Sequence, residues 1–475
     1  MITIIIDHVW CGCNFDTEDE LTAMRVTCGY QVEGSQYSPR LQAGMWDGFK
    51  SLFRKSPSKL AGKFPAGLLE HVIVSLQGNH AIELIDTRKY YAPQGGLEVT
   101  FSLRDYQAEA CETMLQKRKG IVKLPTAAGK TKTAIAVIAK LNMPTLWLTH
   151  EGTLARQSKT AIEEGIKNCP PVGLYGSGKK EIEFITVGMV QTLSKQYKRL
   201  KSWLNQVQVL VIDEAHHGSS SSWYKAITNV PAPYRFGISA TPFDRGDQRW
   251  QELVGGISPL IYEKDAEEVS EHLSRPNVHL YHTPRRPRFI SGDWPARYDF
   301  GVVNHEFRNR IITQLGVQSV RERTPTIIFV SRLQHGHELR DRIEQSIGIG
   351  GLHEFIHGQT PQEARDQAYN DLRSGKKFVI IATDGVAGEG QDVPIIRSVV
   401  IGGGYKAAIL VKQRIGRGMR PDGNNSNRDS DWGGVVQIHD FIDEHDERLY
   451  EHSQERVALY QQVGATFEIH PSPTF

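Results

Sequence analysis

The stretch Leu124–Thr131 (LPTAAGKT) decides the fold, because it joins two segments with different hydrophobic periods. The residues before it, Ile121–Leu124, form a short, mostly apolar run that is typical of a buried strand. After it, the segment Lys130–Leu141 carries apolar residues at helical spacing. A strand, a glycine-containing loop and a helix in this order predict a phosphate-binding loop at a helix N-terminus.

Each part of this loop has a predicted role with a nucleoside triphosphate. The main-chain amides would surround the phosphates, Lys130 would reach the outer phosphates, and the Thr131 hydroxyl would hold Mg²⁺. The loop departs from the general pattern GxxxxGK(S/T), which has glycine at Leu124, and glycine is also common at Ala127. The predicted nucleotide-binding residues of the loop are Leu124, Pro125, Thr126, Ala127, Ala128, Gly129, Lys130 and Thr131.

A second apolar run, Val207–Ile212, ends in two carboxylates, Asp213 and Glu214. Such a run predicts a buried parallel strand, and α/β proteins bind ligands at the carboxyl ends of these strands. Adjacent side chains on an extended chain point to opposite sides, so the two carboxylates can take two roles. We expect Asp213 to hold Mg²⁺ and Glu214 to polarise the attacking water.

A third segment, Gln413–Arg420 (QRIGRGMR), supplies two arginines that lie one turn apart if it is helical. An arginine brought in from a second domain stabilises the charge that develops during phosphoryl transfer. We therefore predict that Gln413, Arg417 and Arg420 complete the catalytic set. The alternative is a basic helix that only binds a phosphate backbone.

Together the three segments resemble the motor of superfamily 2 helicases, whose phosphate-binding loop is similar to APTGSGKT. The resemblance implies ATP as the nucleotide and Mg²⁺ as its metal ion. It also implies a motif that senses adenine, which Leu103–Gln107 (LRDYQ) resembles, with Arg104 and Gln107 as its binding residues.

Further motifs of that family follow in the expected order. The segment Ser239–Pro242 (SATP) implies that Ser239 and Thr241, with His216, couple hydrolysis to nucleic-acid contacts. The remaining family motifs imply DNA contacts at Gln191, Thr192, Arg332 and Thr383, and a ribose or cleft-closing contact at Asp392.

The spacing of the apolar runs predicts the fold class. These runs lie at residues 121–124, 145–148, 184–187, 207–212 and 235–238, and again at 326–330, 353–356, 377–382, 398–401 and 435–438. Helix-sized spans between them indicate parallel sheets covered by helices. The resemblance implies two tandem RecA-like α/β domains after a small α+β N-terminal DNA-binding domain. The expected boundaries are 1–98, 99–265, 266–445 and a helical tail at 446–475, with a connector at Ser270–Asp299.

Composition limits the other possibilities. The chain has 475 residues, too many for one core, and its net charge of +2 neither requires nor excludes nucleic acid. No apolar stretch approaches the ~20 residues of a membrane span, and the first residues lack a signal-peptide pattern. Five cysteines, an odd number, argue against a disulfide framework, so we expect a reduced, cytoplasmic protein. Cys11, Cys13 and Cys28 are more consistent with free thiols than with a zinc site.

The segment Gly48–Leu69 is basic and contains no acidic residue, with aromatic side chains interleaved. Basic groups beside aromatic faces are typical of a nucleic-acid surface, although the aromatics could equally form the core of a small domain. The predicted DNA-binding residues here are Trp46, Lys50, Arg54, Lys55 and Lys59.

The stretches Tyr37–Lys50 (YSPRLQAGMWDGFK) and Phe64–Leu68 (FPAGL) narrow the resemblance. They are similar to the N-terminal domain of the phage UvsW-type helicases. That likeness implies remodelling of branched DNA, namely fork regression and Holliday-junction branch migration. The implied setting is phage DNA replication, recombination and repair in the host cytoplasm, with movement 3′ to 5′. Three alternatives are an RNA helicase, a restriction-type translocase without its nuclease, and a binding protein with an inactive pocket.

Overall fold

The computed structural model describes residues 1–57, 59–93, 95–125, 128–243, 249–265, 268–269, 276–284, 293–348, 350–383, 386, 396–404, 435–462 and 464–471. These residues form two compact units. The first contains residues 1–125 and 129–264, and the second contains residues 126–128 and 265–475.

The first unit begins with a small α+β domain. Its strands are β1 (Ile2–Ile6), β2 (Trp10–Asn14), β3 (Gly29–Gln31), β4 (Phe49–Ser51), β5 (Arg54–Lys55), β6 (Ala61–Pro65) and β7 (Ile82–Asp86). Its helices are α1 (Glu18–Thr27), α2 (Pro39–Gln42) and α3 (Leu69–Leu76), with short 3-10 turns at Ser35–Tyr37 and Ala66–Leu68. Five strands form a mixed sheet in the order β5-β6-β2-β1-β7, and β3 pairs with β4 separately. Thr17 caps α1 in a reciprocal capping box with Glu20, which fixes where that helix starts.

The larger part of the first unit is built on an eight-stranded sheet of order β11-β10-β12-β9-β13-β14-β8-β15. Its strands are β8 (Lys119–Lys123), β9 (Thr145–Thr149), β10 (Val172–Gly176), β11 (Lys179–Lys180), β12 (Ile185–Met189), β13 (Val209–Asp213), β14 (Tyr234–Ser239) and β15 (Leu260–Glu263). Its helices are α4 (Asp105–Lys117), α5 (Lys130–Leu141), α6 (Gly152–Gly165), α7 (Val190–Gln196), α8 (Lys201–Leu204), α9 (Ser221–Ile227) and α10 (Trp250–Gly256), with a 3-10 segment at Ala215–Ser219. Only the β10–β11 pair is antiparallel, because a short turn joins those two strands.

The small N-terminal domain packs directly against the domain that is built on the eight-stranded sheet. The two domains share one continuous cluster of buried apolar side chains. The approach is close at Gly67, where a Cβ atom would lie 1.9 Å from the carbonyl oxygen of Val254. Only glycine fits there, since that atom belongs to the main chain and cannot rotate away. The N-terminal domain and the domain with the eight-stranded sheet therefore form one compact unit with a shared core.

The second unit is built on a seven-stranded sheet, all parallel, of order β18-β19-β17-β20-β21-β16-β22. Its strands are β16 (Asn277–His282), β17 (Thr326–Val330), β18 (His353–Ile356), β19 (Val379–Thr383), β20 (Ser398–Ile401), β21 (Gln437–Ile442) and β22 (Thr466–His470). Its helices are α11 (Trp294–Tyr298), α12 (Glu306–Arg321), α13 (Leu333–Ile347), α14 (Gln362–Arg373) and α15 (Glu447–Gln462), with a π-helical turn at Asp299–Val303.

These sheets confirm the predicted fold class of two parallel-sheet α/β domains after an α+β domain. Every apolar run that was predicted as a strand forms one, from β8 to β21. The tail contains the expected helix, α15, but it is not only helical, because residues 466–470 add the strand β22 to the second sheet. Apolar periodicity missed β22 because its residues are mostly exposed.

The structure also bears on the cysteines and on membrane-spanning segments. All five cysteines are free, and Cys11, Cys13 and Cys28 are buried in the N-terminal domain. Burial raises the pKa of Cys11 and Cys13 to about 12, which keeps both thiols protonated. Among the described residues, no helix combines the length and the apolar character that crossing a bilayer requires.

Candidate active site

The predicted phosphate-binding loop lies between β8 and α5, at the carboxyl edge of the eight-stranded sheet. Gly129 precedes α5 with a φ of +80°, a left-handed conformation that glycine adopts without strain. Lys130 is the first residue of α5, and Thr131 follows in the same turn. The positive end of the helix therefore faces the loop, as phosphate binding requires.

Lys130 is held close to the loop in this structure. Its Nζ lies 3.4 Å from the carbonyl oxygen of Leu124 and 3.3 Å from that of Pro125. Main-chain carbonyls are weak partners for an ammonium compared with phosphate oxygens, so a bound triphosphate would compete for this group. Thr126 and Ala127, two predicted loop residues, lie outside the described residues.

Gln107, the predicted adenine reader, is buried and lies against the same loop. A Cβ atom on Gly129 would lie 2.3 Å from its Nε2, so glycine at 129 also makes room for this side chain. The Oε1 of Gln107 accepts a hydrogen bond from the main-chain N–H of Arg104 at 3.0 Å. Arg104 in turn donates to the hydroxyl of Tyr106 at 3.0 Å. The structure therefore places both predicted base-binding residues at the start of α4, beside the phosphate-binding loop.

Asp213 and Glu214 close β13 two strands away from β8 in the same sheet. Glu214 has a φ of +51°, which is unusual for a residue with a side chain. A left-handed conformation of this kind costs about 1–3 kcal/mol, and such strain clusters at functional sites. The main-chain N–H of Glu214 donates to Asp213 Oδ1 at 3.0 Å, which fixes the two carboxylates relative to each other.

The two carboxylates have opposite electrostatic surroundings. Burial, followed by the charge of Glu214, raises the pKa of Asp213, while Lys130 acts against both. Burial would also raise the pKa of Glu214, but the hydrogen bond with His216 and the charge of Lys130 outweigh it and lower this pKa to about 2. Asp213 thus lacks a full counter-charge, and its hard carboxylate oxygen, with the Thr131 hydroxyl, suits a divalent ion such as Mg²⁺.

His216 connects the carboxylates to the next strand. Its Nδ1 lies 3.3 Å from Glu214 Oε2 and 3.2 Å from the hydroxyl oxygen of Ser239, the last residue of β14. Ser239 Oγ also accepts a hydrogen bond from the main-chain N–H of Thr241 at 3.2 Å. The structure therefore brings all three predicted coupling residues into one chain of contacts that begins at Glu214.

An aromatic cluster beside this chain was not predicted from the sequence. His217 packs between His150, with ring centroids 4.6 Å apart, and Trp223, with centroids 6.0 Å apart and an interplanar angle of 18°. His150 follows β9, and its carbonyl oxygen accepts a hydrogen bond from Gln191 Nε2 at 2.7 Å. The one sequence feature that could have indicated this cluster is His217, the second histidine after the Asp-Glu pair. Through His150 it connects the segment that follows the carboxylates to Gln191, a residue predicted to contact DNA.

Four of the predicted DNA-contacting residues lie at the carboxyl edges of the two larger sheets. Gln191 and Thr192 follow β12 in the first turn of α7. In the second unit, Arg332 follows β17 and Thr383 ends β19, and these two strands are paired neighbours. The other predicted residues of the second unit, Asp392, Gln413, Arg417 and Arg420, lie outside the described residues. The proposed connector Ser270–Asp299 is described in part, and that part contains the strand β16 and the helix α11 of the second unit, so the expectation of a plain connector is corrected there.

The basic residues of the N-terminal domain are not equivalent to one another. Lys50 forms an ion pair with Glu252 of α10, whose side chain is only 3% exposed, so this lysine joins the two parts of the first unit. Arg54 lies over the ring of Trp10 at 4.3 Å, and Lys55 pairs with the exposed Glu18 at 3.4 Å. Lys59 is exposed. Lys50 therefore already has a carboxylate partner within the protein, and Glu252 also pairs with Arg249 at 3.0 Å. The DNA contacts of Lys50, Arg54, Lys55 and Lys59 stay predictions.

The aromatic residues of this segment mostly belong to the core. Phe53 and Phe64 are buried, and Phe53 contacts Phe15 edge to face at 5.9 Å. Trp46 is half-buried, and its indole N–H donates to the carbonyl oxygen of Phe49 at 2.8 Å. The aromatics therefore support the fold of the domain, as the alternative interpretation expected.

Comparison with known proteins agrees with this geometry. Residues 100–244 match the family model described as the Res subunit of type III restriction enzymes, and residues 308–422 match the helicase conserved C-terminal domain. Together the two matches cover more than half of the chain, and each falls on one parallel sheet. The chain belongs to the superfamily 2 helicases and is an ATP-dependent helicase.

Within that class the chain is similar to the UvsW-type DNA helicases. It is 23% identical to the ATP-dependent DNA helicase uvsW of Enterobacteria phage T4 over 473 residues, an alignment that covers 92% of this chain and 89% of that protein. It is 26% identical to the DNA 3′-5′ translocase XPB2 of Sulfurisphaera tokodaii, over 67% of this chain and 78% of that protein. The chain spans about half the length of two haloarchaeal relatives named Rad25. Among solved structures, S. cerevisiae Dbp5 bound to RNA and ADP BeF3 has a TM-score of 0.56 with 20% identity, over 77% of this chain and 89% of that chain, which shows the shared fold.

Proposed function

We propose that this chain is an ATP-dependent DNA helicase or translocase that remodels branched DNA, regressing forks and migrating four-way junctions in phage-type recombination and repair. The observation that carries the proposal is the alignment with uvsW of phage T4, which covers 92% of the chain and so extends well into the N-terminal domain. By contrast, the alignment with XPB2 covers only 67% of the chain. The name of the latter relative, a 3′-5′ translocase, supports movement 3′ to 5′.

The chemistry follows from the residues at the edge of the eight-stranded sheet. Lys130 leaves the loop carbonyls and neutralises the outer phosphates of ATP, and Gln107 binds the base. Thr131 and Asp213 would hold Mg²⁺, which when bound would supply positive charge beside the phosphates. Glu214, whose pKa is lowered to about 2, stays ionised and orients the attacking water through its carboxylate.

The contacts of His216 suggest how hydrolysis reaches the nucleic acid. His216 touches both Glu214 and Ser239, so a change at the phosphates alters a side chain on the next strand. On the other side, His217 and His150 connect the same segment to Gln191. We propose that these two contact chains transmit the nucleotide state to the strand-gripping residues Gln191 and Thr192.

One experiment tests the substrate. ATP turnover is measured with single-stranded, duplex, forked and four-way DNA, and with RNA of the same sequence, with Lys130→Ala as the inactive control. We expect the four-way and forked DNA to stimulate turnover most. Equal or greater stimulation by RNA would support the RNA-helicase alternative, and stimulation by linear duplex alone would support a restriction-type translocase.

A second experiment tests the DNA surface of the N-terminal domain. Arg54, Lys55 and Lys59 are replaced together by alanine, and Lys50 is kept because it pairs with Glu252. The matched control replaces Lys179 and Lys180, two exposed lysines on β11 of the same unit. Each lost phosphate contact should flatten the log–log salt dependence of junction binding by about 0.9. A slope that matches the control variant would remove this surface from the proposal.

A further inference from the structure

The C-terminal strand β22 carries a cluster of side chains that the helicase chemistry does not use. Glu468 and His470 are two residues apart on β22, so they project from the same face of the sheet. The neighbouring strand β16 runs parallel, with His279 opposite Glu468 and Tyr281 opposite His470. Three potential metal ligands, His279, Glu468 and His470, therefore converge on one face at the edge of the second sheet.

The ligand atoms have the spacing of a metal site. His279 Nδ1 lies 3.1 Å from His470 Nε2 and 3.4 Å from a carboxylate oxygen of Glu468, and His470 Nε2 lies 3.7 Å from the other oxygen. Ligands bound at 2.0–2.2 Å in a tetrahedron are about 3.3–3.6 Å apart. The histidine–histidine separation and the contact of each histidine with one Glu468 oxygen are close to that range, and one ligand atom from each residue lies within 4.8 Å of the others, so one ion fits here after a small adjustment of the side chains.

The hydrogen-bond contacts of His279 favour the tautomer that a metal ligand needs. Its Nε2 lies 2.8 Å from Gln437 Oε1, an acceptor, and 3.4 Å from Asn277 Nδ2, a donor; the shorter contact favours a hydrogen on Nε2, which leaves a lone pair on Nδ1. Asn277 Nδ2 donates to the same Gln437 oxygen at 3.1 Å, which fixes the orientation of that amide. Metal-binding histidines commonly donate their second N–H to an oxygen in this manner.

Ring stacking holds both histidines in place before any ion arrives. The His279 ring stacks on His439 with centroids 4.7 Å apart and an interplanar angle of 17°. The His470 ring stacks on Tyr281 at 4.4 Å and 11°. Side chains that are locked by packing lose little conformational freedom on binding, which favours a functional site over a chance cluster.

The position of the cluster indicates what it does. Strand β22 lies at the edge of the sheet and pairs with β16 alone among the described strands. Its apolar residues bury little surface, because Phe467 is 37% exposed and Ile469 is 63% exposed. Apolar burial therefore contributes little to holding this strand, and an ion that bridges β16 and β22 would supply the missing attachment.

We propose that His279, Glu468 and His470 form a site for a divalent transition-metal ion, in the first place Zn²⁺, which fastens the C-terminal strand to the sheet. Two imidazoles and one carboxylate suit Zn²⁺, and with three protein ligands the fourth position is left to water. Glu468 is half-exposed and His470 is one-third exposed, so an ion reaches the site from solvent. This proposal is independent of the DNA substrate.

The test uses the full chain, freed of metal by a chelator and titrated with Zn²⁺ without nucleotide. We expect one equivalent to bind and to slow hydrogen exchange of the amides of residues 466–470. His470→Ala and Glu468→Gln should each weaken binding by more than about 100-fold, and Gln437→Leu, which removes the oxygen that orients His279, by about 10–100-fold. The matched control is His337→Ala, an exposed histidine on α13 of the same unit, which should bind Zn²⁺ as the wild type does.

Two results would overturn the site. The first is Zn²⁺ affinity and exchange protection in His470→Ala and Glu468→Gln that equal those of the wild type, which would leave the cluster as a hydrogen-bonded group only. The second is a thiolate charge-transfer band in the Co²⁺-substituted protein, since it would place the ion on a cysteine. Glu468→Gln keeps the shape of an exposed side chain, so it separates loss of the ion from loss of the fold.

Discussion

The two parallel sheets use charged residues in different ways. In the first unit, Lys130, Asp213 and Glu214 lie at the carboxyl edge, where the pKa of Asp213 is raised and the backbone of Glu214 is strained. In the second unit, the charged residues with the least exposure are paired inside. Arg308 pairs with Asp443 with neither side chain exposed, and Arg456 donates two hydrogen bonds to Asp440, at 2.8 and 3.0 Å.

This difference separates a reaction site from a structural joint. An incompletely compensated carboxylate beside a strained residue is kept for a ligand that supplies the missing charge. A fully buried ion pair has its opposite charges compensated within the protein and is closed to solvent, and it ties secondary elements together. Arg308 joins α12 to the loop after β21, and Arg456 joins α15 to β21 itself.

The largest expected effect is a loss of ATP turnover on replacing Arg417, which would show that the second unit also contributes a catalytic residue. Arg417 lies outside the described residues, so the expectation rests on the sequence motif alone. Arg417→Ala should bind ATP with near wild-type affinity but lose ~10³–10⁵-fold in turnover, because an arginine of this kind acts on charge that develops in the transition state. Turnover and nucleotide affinity are measured separately, with the exposed Arg321→Ala as the control. A variant that loses affinity alone would make Arg417 a ground-state anchor.

The next effect concerns the strained carboxylate of the first unit. Glu214→Gln should retain ATP but lose ~10²–10⁴-fold in turnover, because the neutral amide lacks the negative charge that polarises and orients the attacking water. Single-turnover hydrolysis measures the chemical step directly. Glu263→Gln serves as the control, since Glu263 lies on β15 of the same sheet and pairs with Lys123 at 2.9 Å. Normal turnover in Glu214→Gln would remove this residue from the mechanism.

The third prediction concerns the buried pair of the second unit. Asp443→Asn should lower the free energy of unfolding by about 3–5 kcal/mol, because it leaves the Arg308 charge buried without its partner. Glu306→Gln provides the control two residues from Arg308 on α12, since Glu306 forms an exposed pair with Arg342 at 2.8 Å and should cost no more than about 1 kcal/mol. Urea unfolding at neutral pH measures both variants. Similar losses in the two would show that the buried pair is no special joint.

The sequence predicts the elements that are uniformly apolar or carry a motif. Runs such as Val209–Asp213 are continuous because both faces of a central parallel strand are covered, and a motif at the end of such a run places the site. The order of the motifs along the chain also predicts that Gln107 lies near the phosphate-binding loop and that His216 lies near Ser239. Each of these motifs stands at the end of a strand or the start of a helix at the same edge of the sheet.

Polar strands and long-range ion pairs were not predictable in this way. The segment Asn277–His282 (NVHLYH) is half polar, because His279 and Tyr281 stack on rings of neighbouring strands instead of entering a uniform apolar core. Lys50 and Glu252 are 202 residues apart, and nothing in either segment indicates that they meet. Local composition therefore suggested a free basic surface where the structure has one lysine that joins two parts of a unit.

The smallest expected effect concerns His335, a buried histidine of the second unit. It tests whether this side chain stays neutral and has a structural role, like the buried ion pairs. His335 on α13 is fully buried, with its Nε2 2.9 Å from Asn309 Oδ1, and burial, reinforced by the charges of Arg308 and Arg342, lowers its pKa to about 3. Since the folded-state pKa lies below the unfolded value of about 6.5, the unfolded chain binds the proton first as the pH falls. The stabilisation from this one group should therefore be complete above about pH 6.5 and decline towards pH 3, by about 1.4 kcal/mol per pH unit.

His335→Gln keeps a donor for Asn309 but cannot titrate, so urea unfolding between pH 7.5 and 5.5 should show a shallower decline in stability for this variant than for the wild type. The exposed His337→Gln should follow the wild-type profile. Parallel profiles for wild type and His335→Gln would mean that His335 takes up its proton equally well in the folded chain, and that burial in the second unit does not keep it neutral.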